Sequence, residues 1–194
     1  MALELLEDFQ GMILTKEEDG IVISTDKRES AAEDYALSLF GRFLTIRSFN
    51  QRAVQKVLRR AWRMGSDLRI VEVGFEIYQF KFLTAGQRDW VYDNGPWTFE
   101  NDILLLHQWT EGLHLATIRF MHIQVWVQLW GIPFDLMSKA VGIAIGNKMG
   151  SYIKIGEQPW SSEQARFMRV RMALEVAAPL HRGGMIISPE GEKT

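Results

Sequence analysis

Leu68-Arg69-Ile70-Val71-Glu72-Val73-Gly74-Phe75-Glu76-Ile77-Tyr78-Gln79-Phe80-Lys81-Phe82 is the stretch on which the fold turns. Residues 68–73 and 75–82 are rich in β-branched and aromatic side chains, and Gly74 separates them, a hairpin signal. Upstream, residues 36–45 read as a strand, with Gly41 as a bulge or a site of close approach. An amphipathic helix lies between that strand and the hairpin, with Asn50 as its cap and Gly65 and Asp67 at its close. Downstream, Thr84 caps a second helix that runs through Trp90 and Val91 to Asn94-Gly95, with Pro96 just beyond. Residues 99–109 hold Ile103-Leu104-Leu105-Leu106, a buried strand. The order β-α-β-β-α-β predicts an α+β class with a ferredoxin-like, RRM-like core.

The second half starts the plan again and extends the core by a βαββ unit. Residues 123–129 alternate strongly, Gly131-Ile132-Pro133 makes a turn, and a helix over 136–149 has Ala140, Val141, Ala144 and Ile145 on one face. Strands follow at 151–155 and 166–176. Gly142, Gly146 and Gly150 recur at four-residue spacing, which predicts close packing of helix on sheet. The domains expected are an acidic arm over 1–34 with a short strand at Ile21-Val22-Ile23-Ser24, an RRM-like domain over 35–180 in halves 35–115 and 116–180, and a flexible tail over 181–194. Within the arm, residues 25–34 are charged and read as a linker.

At 194 residues and 47% hydrophobic, the chain has apolar mass enough for a core without staples. Its lack of cysteine excludes disulfides, thiolate nucleophiles and Cys-ligated metal. His107, His114, His122 and His181 show no metal-ligand spacing, and no phosphate-cradling glycine motif is present. The expectation is therefore no enzyme, no metal, no cofactor and no small-molecule substrate. Neither a signal peptide nor an apolar run approaching 18 residues is read, so no membrane is expected and the location is intracellular, nuclear or cytoplasmic.

The net charge of −2 hides a division. Residues 1–34 carry ten acids and three bases, whereas residues 35–194 carry fourteen acids and nineteen bases. Residues 35–66 hold seven bases and no acid. Four of these, Arg52, Lys56, Arg59 and Arg63, recur at i, i+4, i+7 and i+11 and fall within a stripe about 60° wide on a helix. Val54, Val57, Leu58 and Ala61 lie opposite, with Trp62 at the edge. Like charges at this spacing cost a few tenths of a kcal/mol each. A stripe left uncompensated within its own segment points to an anionic partner.

Arg169 and Arg171 share one face of the last strand and read either as wet-face arginines that discourage aggregation at an edge or, if they lie near the basic helix, as a second basic row within reach of phosphates about 7 Å apart. Trp97, Trp126, Trp130 and Trp160 sit in or beside strands and turns. They read either as core and rim packing or as a base-stacking platform, where each stacked base is worth about 1–3 kcal/mol. If Tyr78, Phe80 and Phe82 point into the core, the open sheet face receives Phe75, Ile77, Gln79 and Lys81, which is not a stacking face. Either the second half covers that face, or nucleic acid binds through the helix and loops.

Several blocks resemble a plant domain of unknown function found in LINE-type retrotransposon proteins and their host-derived relatives, usually upstream of a CCHC zinc knuckle. They are Gly95-Pro96-Trp97-Thr98-Phe99, Val125-Trp126-Val127-Gln128-Leu129-Trp130-Gly131-Ile132-Pro133, Ala140 through Gly146-Asn147, and Arg169-Val170-Arg171-Met172. The resemblance covers roughly residues 35–185. It implies a non-catalytic retroelement-type nucleic-acid-binding or ribonucleoprotein-assembly module. With no cysteine, no zinc knuckle lies within these residues, and Ala177-Ala178 stand where relatives often carry basic residues. The reading is of a truncated piece or a degenerate member.

The expected partner is single-stranded RNA or DNA, bound with low sequence specificity. The contact residues expected are Arg52, Lys56, Arg59, Arg60, Arg63, Arg169 and Arg171. The alternative is a protein-interaction or self-association module, a homo-oligomer included, in which the basic helix docks an acidic segment.

Overall fold

A computed structural model describes residues 24–156 and 167–186. The chain divides between Asp34 and Tyr35 into two units. The described part of the first is the body of helix α1, Thr25–Ala36, where the sequence reading had a linker. Charged composition misled there, because Lys, Arg, Glu and Ala all rank high in helix propensity. The strand expected at residues 21–24 falls almost wholly outside the described residues. So do the end of the tail and Trp160.

From Tyr35 onward the first sheet is built by β1 (Ser38–Phe43), α2 (Gln51–Trp62), β2 (Arg69–Gly74), β3 (Ile77–Lys81), α3 (Ala85–Asp93), β4 (Trp97–Phe99) and β5 (Asp102–Gln108). The second is built by β6 (His122–Trp130), α4 (Lys139–Met149), β7 (Ser151–Ile155) and β8 (Phe167–Glu175). Strand order is β2-β3-β1-β5-β4 in one sheet and β6-β8-β7 in the other, with every pairing antiparallel. The described residues are thus an α+β assembly of two antiparallel sheets and four α-helices.

The hairpin at Gly74 forms as expected, with Ile70 opposite Phe80. Its turn residues are Phe75 and Glu76, at φ 53° and 59°. A second tight turn, Glu100-Asn101 at φ 49° and 70°, joins β4 to β5. The sequence reading missed β4, since three residues after Gly95-Pro96 look like part of a turn. Thr84 caps α3 with a full capping box, its hydroxyl accepting from the Gln87 N–H while the Gln87 side chain accepts from the Thr84 N–H.

One face of the first sheet packs Leu39, Phe43, Ile70, Tyr78, Phe80 and Leu104 against Val54, Leu58 and Trp62 of α2 and Val91 of α3. Each such side chain contributes about 1.5–3 kcal/mol on burial. Gly41 is a close-approach site: an added Cβ would lie 2.7 Å from Phe80 Cε2 and 3.0 Å from Leu104 Cδ1. On the opposite face Phe40 and Ile77 are buried with Ile118, and Val73, Trp109, Leu113 and Phe120 pack around them. Ile77 is therefore covered, while a cavity of about 320 Å³ lined by Phe40, Val73, Gln79, Trp109 and Leu113 remains on that face. The cover comes from the connection after β5, which straddles the expected boundary at 115/116.

In the second sheet Val125, Val127 and Leu129 stand opposite Met172, Val170 and Met168, and all six pack in one apolar layer. Helix α4 closes on that layer through glycines. A Cβ at Gly142 would meet Met168 Sδ at 2.5 Å, one at Gly146 would meet Tyr152 Cδ2 at 3.2 Å, and one at Gly150 the Ala173 carbonyl at 2.4 Å. Ala140 and Ala144, expected on the apolar face, are exposed. At Gly142 and Gly146 the helix approaches so closely that there is room only for hydrogen atoms.

Candidate nucleic-acid interface

Asn50 starts α2, its side-chain oxygen accepting from the N–H of Arg52 at 2.9 Å and of Ala53 at 3.3 Å. The residues turned inward are Val54, Leu58 and Trp62. Val57 is 43% exposed and Ala61 is exposed, so the apolar back is rotated from the one expected. Trp62 sets this rotation. Its ring packs edge-on at 5.1 Å from Phe80 and 5.9 Å from Trp97, and the helix turns to bury its largest apolar side chain.

The outward row is consequently Arg52, Lys56 and Arg60 at i, i+4 and i+8, all exposed. Arg63 extends it. It is the C-cap, in the left-handed conformation at φ 57°, with its backbone N–H on the Arg59 and Arg60 carbonyls and its side chain exposed. Arg59 leaves the row: its Nε donates to the Leu68 carbonyl at 3.1 Å and it is half-buried. Among the described residues, the side chains of Arg52, Lys56, Arg60 and Arg63 make no ion pair or hydrogen bond. Ion pairs among the described residues include Arg47 with Asp102 and Arg88 with Asp89.

The row expected at Arg169 and Arg171 divides by depth. Both lie on one face of β8, but Arg169 is exposed and Arg171 is fully buried. Arg171 donates from Nη1 to the Gly95 carbonyl at 3.2 Å and from Nη2 to the Tyr92 carbonyl at 3.3 Å. It also reaches Gln124 Oε1 from Nε at 3.3 Å and from Nη2 at 3.1 Å. Burial lowers its pKa, and Asp93 acts the other way. The expectation of a phosphate contact at Arg171 is corrected: its donors are taken up by main-chain and amide oxygens inside the molecule.

The tryptophans divide likewise. Trp97 is structural, its Nε1 donating to the Val91 carbonyl at 2.8 Å. Trp126 is half-buried, with the Arg169 guanidinium 4.5 Å and the Lys154 ammonium 5.9 Å from its ring centre. Trp130 is 60% exposed and lies 4.8 Å from Phe167. Lys154 and Phe167 are not among the site residues expected from the sequence. The period-2 parity of β6 and β8, taken together, is the signal that points to Phe167.

Among the described residues no helix is long and apolar enough to cross a membrane. Residues 31–117 match a family described as "Domain of unknown function (DUF4283)". The match includes the Gly95-Pro96-Trp97 block and ends before β6. The chain is also similar to the uncharacterized protein At4g02000 of Arabidopsis thaliana, at 27% identity over 99 residues. That alignment covers 50% of this chain and only 30% of the relative. No solved structure matches.

Proposed function

We propose that this chain is a non-catalytic module of a retroelement-type protein that binds single-stranded RNA or DNA with little sequence preference. The observation that carries the reading is the outward row of Arg52, Lys56, Arg60 and Arg63, without a carboxylate partner among the described residues. Like charges one turn apart destabilise a helix slightly, and a polyanion offsets this while releasing its own counterions. Contacts to phosphate position a strand but carry no sequence information, hence the low specificity. The finer fold reading belongs to the same proposal: the order β2-β3-β1-β5 is that of a ferredoxin-like, RRM-like core, with β4 added at one edge. The retroelement setting rests on the sequence resemblance carried by Gly95-Pro96-Trp97 and the Val125 to Pro133 block.

Fluorescence anisotropy against salt tests the proposal. Neutralising about four phosphates at the helix contributes about −3 to the slope of log K on log salt for a single strand. Replacing Arg52, Lys56, Arg60 and Arg63 with Glu abolishes binding and leaves the melting temperature nearly unchanged. A flat salt response, or no binding at low salt, overturns it. Loss of an oligomer by light scattering in that variant, with affinity for nucleic acid unchanged, would mark the row as a docking site for an acidic segment instead.

A further inference from the structure

Resting on the binding function proposed above, we infer that the bases of a single strand stack on the second sheet's face opposite α4, at the end where Trp130, Gln128 and Arg169 are exposed among the described residues. Trp130 with Phe167 is the platform, Trp126 takes a further base, and Arg169 and Lys154 hold the phosphates. Period-2 alternation places these groups together, because the other face of the same strands is committed to the layer under α4. Trp130 is paired across the sheet with Phe167, Gln128 with Arg169, and Trp126 with Arg171. The surface thus reads aromatic, cation, aromatic along its length.

Three features make this a prepared surface rather than a chance exposure. The Trp130 indole is oriented, its Nε1 donating to Gln128 Oε1 at 3.3 Å while its ring rests on Phe167. Arg169 and Lys154 are exposed and lie over the Trp126 ring at 4.5 Å and 5.9 Å from its centre, with buried Arg171 at 5.8 Å, so a base that takes this ring displaces the Arg169 guanidinium toward its own phosphate. The described residues of β6, β7 and β8 include one carboxylate, Glu175, at the end of β8 away from Trp130. Near Gln124 the face opens into a cleft of about 540 Å³ lined in part by Arg119, His107 and His122, with no carboxylate in its lining. Four residues of strand, about 13 Å, separate Trp126 from Trp130, so the two indoles serve different nucleotides. Alternating π-faces and cations suit a chain that alternates bases with phosphates.

The test compares an oligothymidine or oligouridine of about 12 nucleotides with an abasic strand of the same length, by anisotropy at low salt. The wild-type chain prefers the base-bearing strand. Trp130→Ala weakens it about tenfold, leaves the salt slope unchanged and reduces that preference by the same factor, and Trp130→Phe restores most of it. Arg169→Ala and Lys154→Ala each reduce the slope by about 0.7 and weaken both strands alike. Equal affinity of wild type and Trp130→Ala, with binding lost on charge reversal of Arg52, Lys56 and Arg60, overturns the stacking face and leaves the helix reading standing. Failure of the wild-type chain to bind either strand overturns both.

Discussion

Arg171 and Gly95, 76 residues apart, are joined by a 3.2 Å hydrogen bond from the guanidinium Nη1 to the glycine carbonyl. The bond ties the middle of β8 to the turn that leads into β4. Through it the Arg-Val-Arg block supplies a donor to a carbonyl of the Gly-Pro-Trp block. Arg171→Ala leaves the Gly95 and Tyr92 carbonyls and the Gln124 amide oxygen without that donor. The expected loss is about 3 kcal/mol, or a fall in Tm of about 10 °C. Arg171→Lys recovers only part of it, since an ammonium lacks the planar fork. Calorimetry of the two variants checks this, and an unchanged Tm for Arg171→Ala would contradict the role.

Arg59 and Arg60 are neighbours with opposite expected phenotypes. Arg60→Ala removes an outward cation and reduces the salt slope by about 0.7, with Tm unchanged. Arg59→Ala removes the donor to the Leu68 carbonyl, which costs about 1 kcal/mol of stability and leaves the slope nearly intact. Anisotropy and thermal unfolding on both variants separate the roles. Equal salt slopes for the two would show that Arg59 also faces the polyanion.

The tip of the β2–β3 hairpin holds stabilisation in reserve. Phe75 is 81% exposed and takes a positive φ that a bulky side chain adopts poorly. Replacing Phe75-Glu76 with Asn-Gly suits two positive φ values and loses little packing. A gain of about 1 kcal/mol in denaturant unfolding is expected. A loss would mean that the Phe75 ring contributes packing its exposure does not suggest.

Tyr78 links stability to alkaline pH. Burial raises its pKa above the ordinary 10.0, and the Glu72 and Glu76 carboxylates push it the same way. The folded state therefore favours the neutral phenol. That contribution is complete below the unfolded value and is lost as pH rises through the folded one. Between about pH 9 and pH 12, Tm falls less steeply for Tyr78→Phe than for the wild-type chain. Parallel curves would show that Tyr78 reaches solvent when it ionises.

Much of the local structure was legible because local residues determine it. Asn50 and Thr84 cap the helices they were expected to cap, the hairpin forms at Gly74, and Gly142, Gly146 and Gly150 meet a sheet. Caps, turns and close helix packing depend on side-chain size and hydrogen-bonding capacity within a few residues. The misreadings share a cause of their own. The back of α2 was misplaced because Trp62, at the edge of the apparent stripe, finds Phe80 and Trp97 waiting for it. Residues 25–34 form a helix in place of the expected linker because their Lys, Arg, Glu and Ala favour helix despite the charge.

The sequence by itself determined that this chain mixes antiparallel strands with helices and gathers cations on one of them. Spacing and propensity act along the chain and need no distant partner. Only the tertiary structure decided which arginines face solvent and which are consumed within the protein. Arg169 and Arg171 are two residues apart on one face of a strand, yet the first meets water and the second meets the carbonyls of Tyr92 and Gly95. Burial of a charge depends on acceptors that other segments bring to it, and the pattern along β8 carries no record of them.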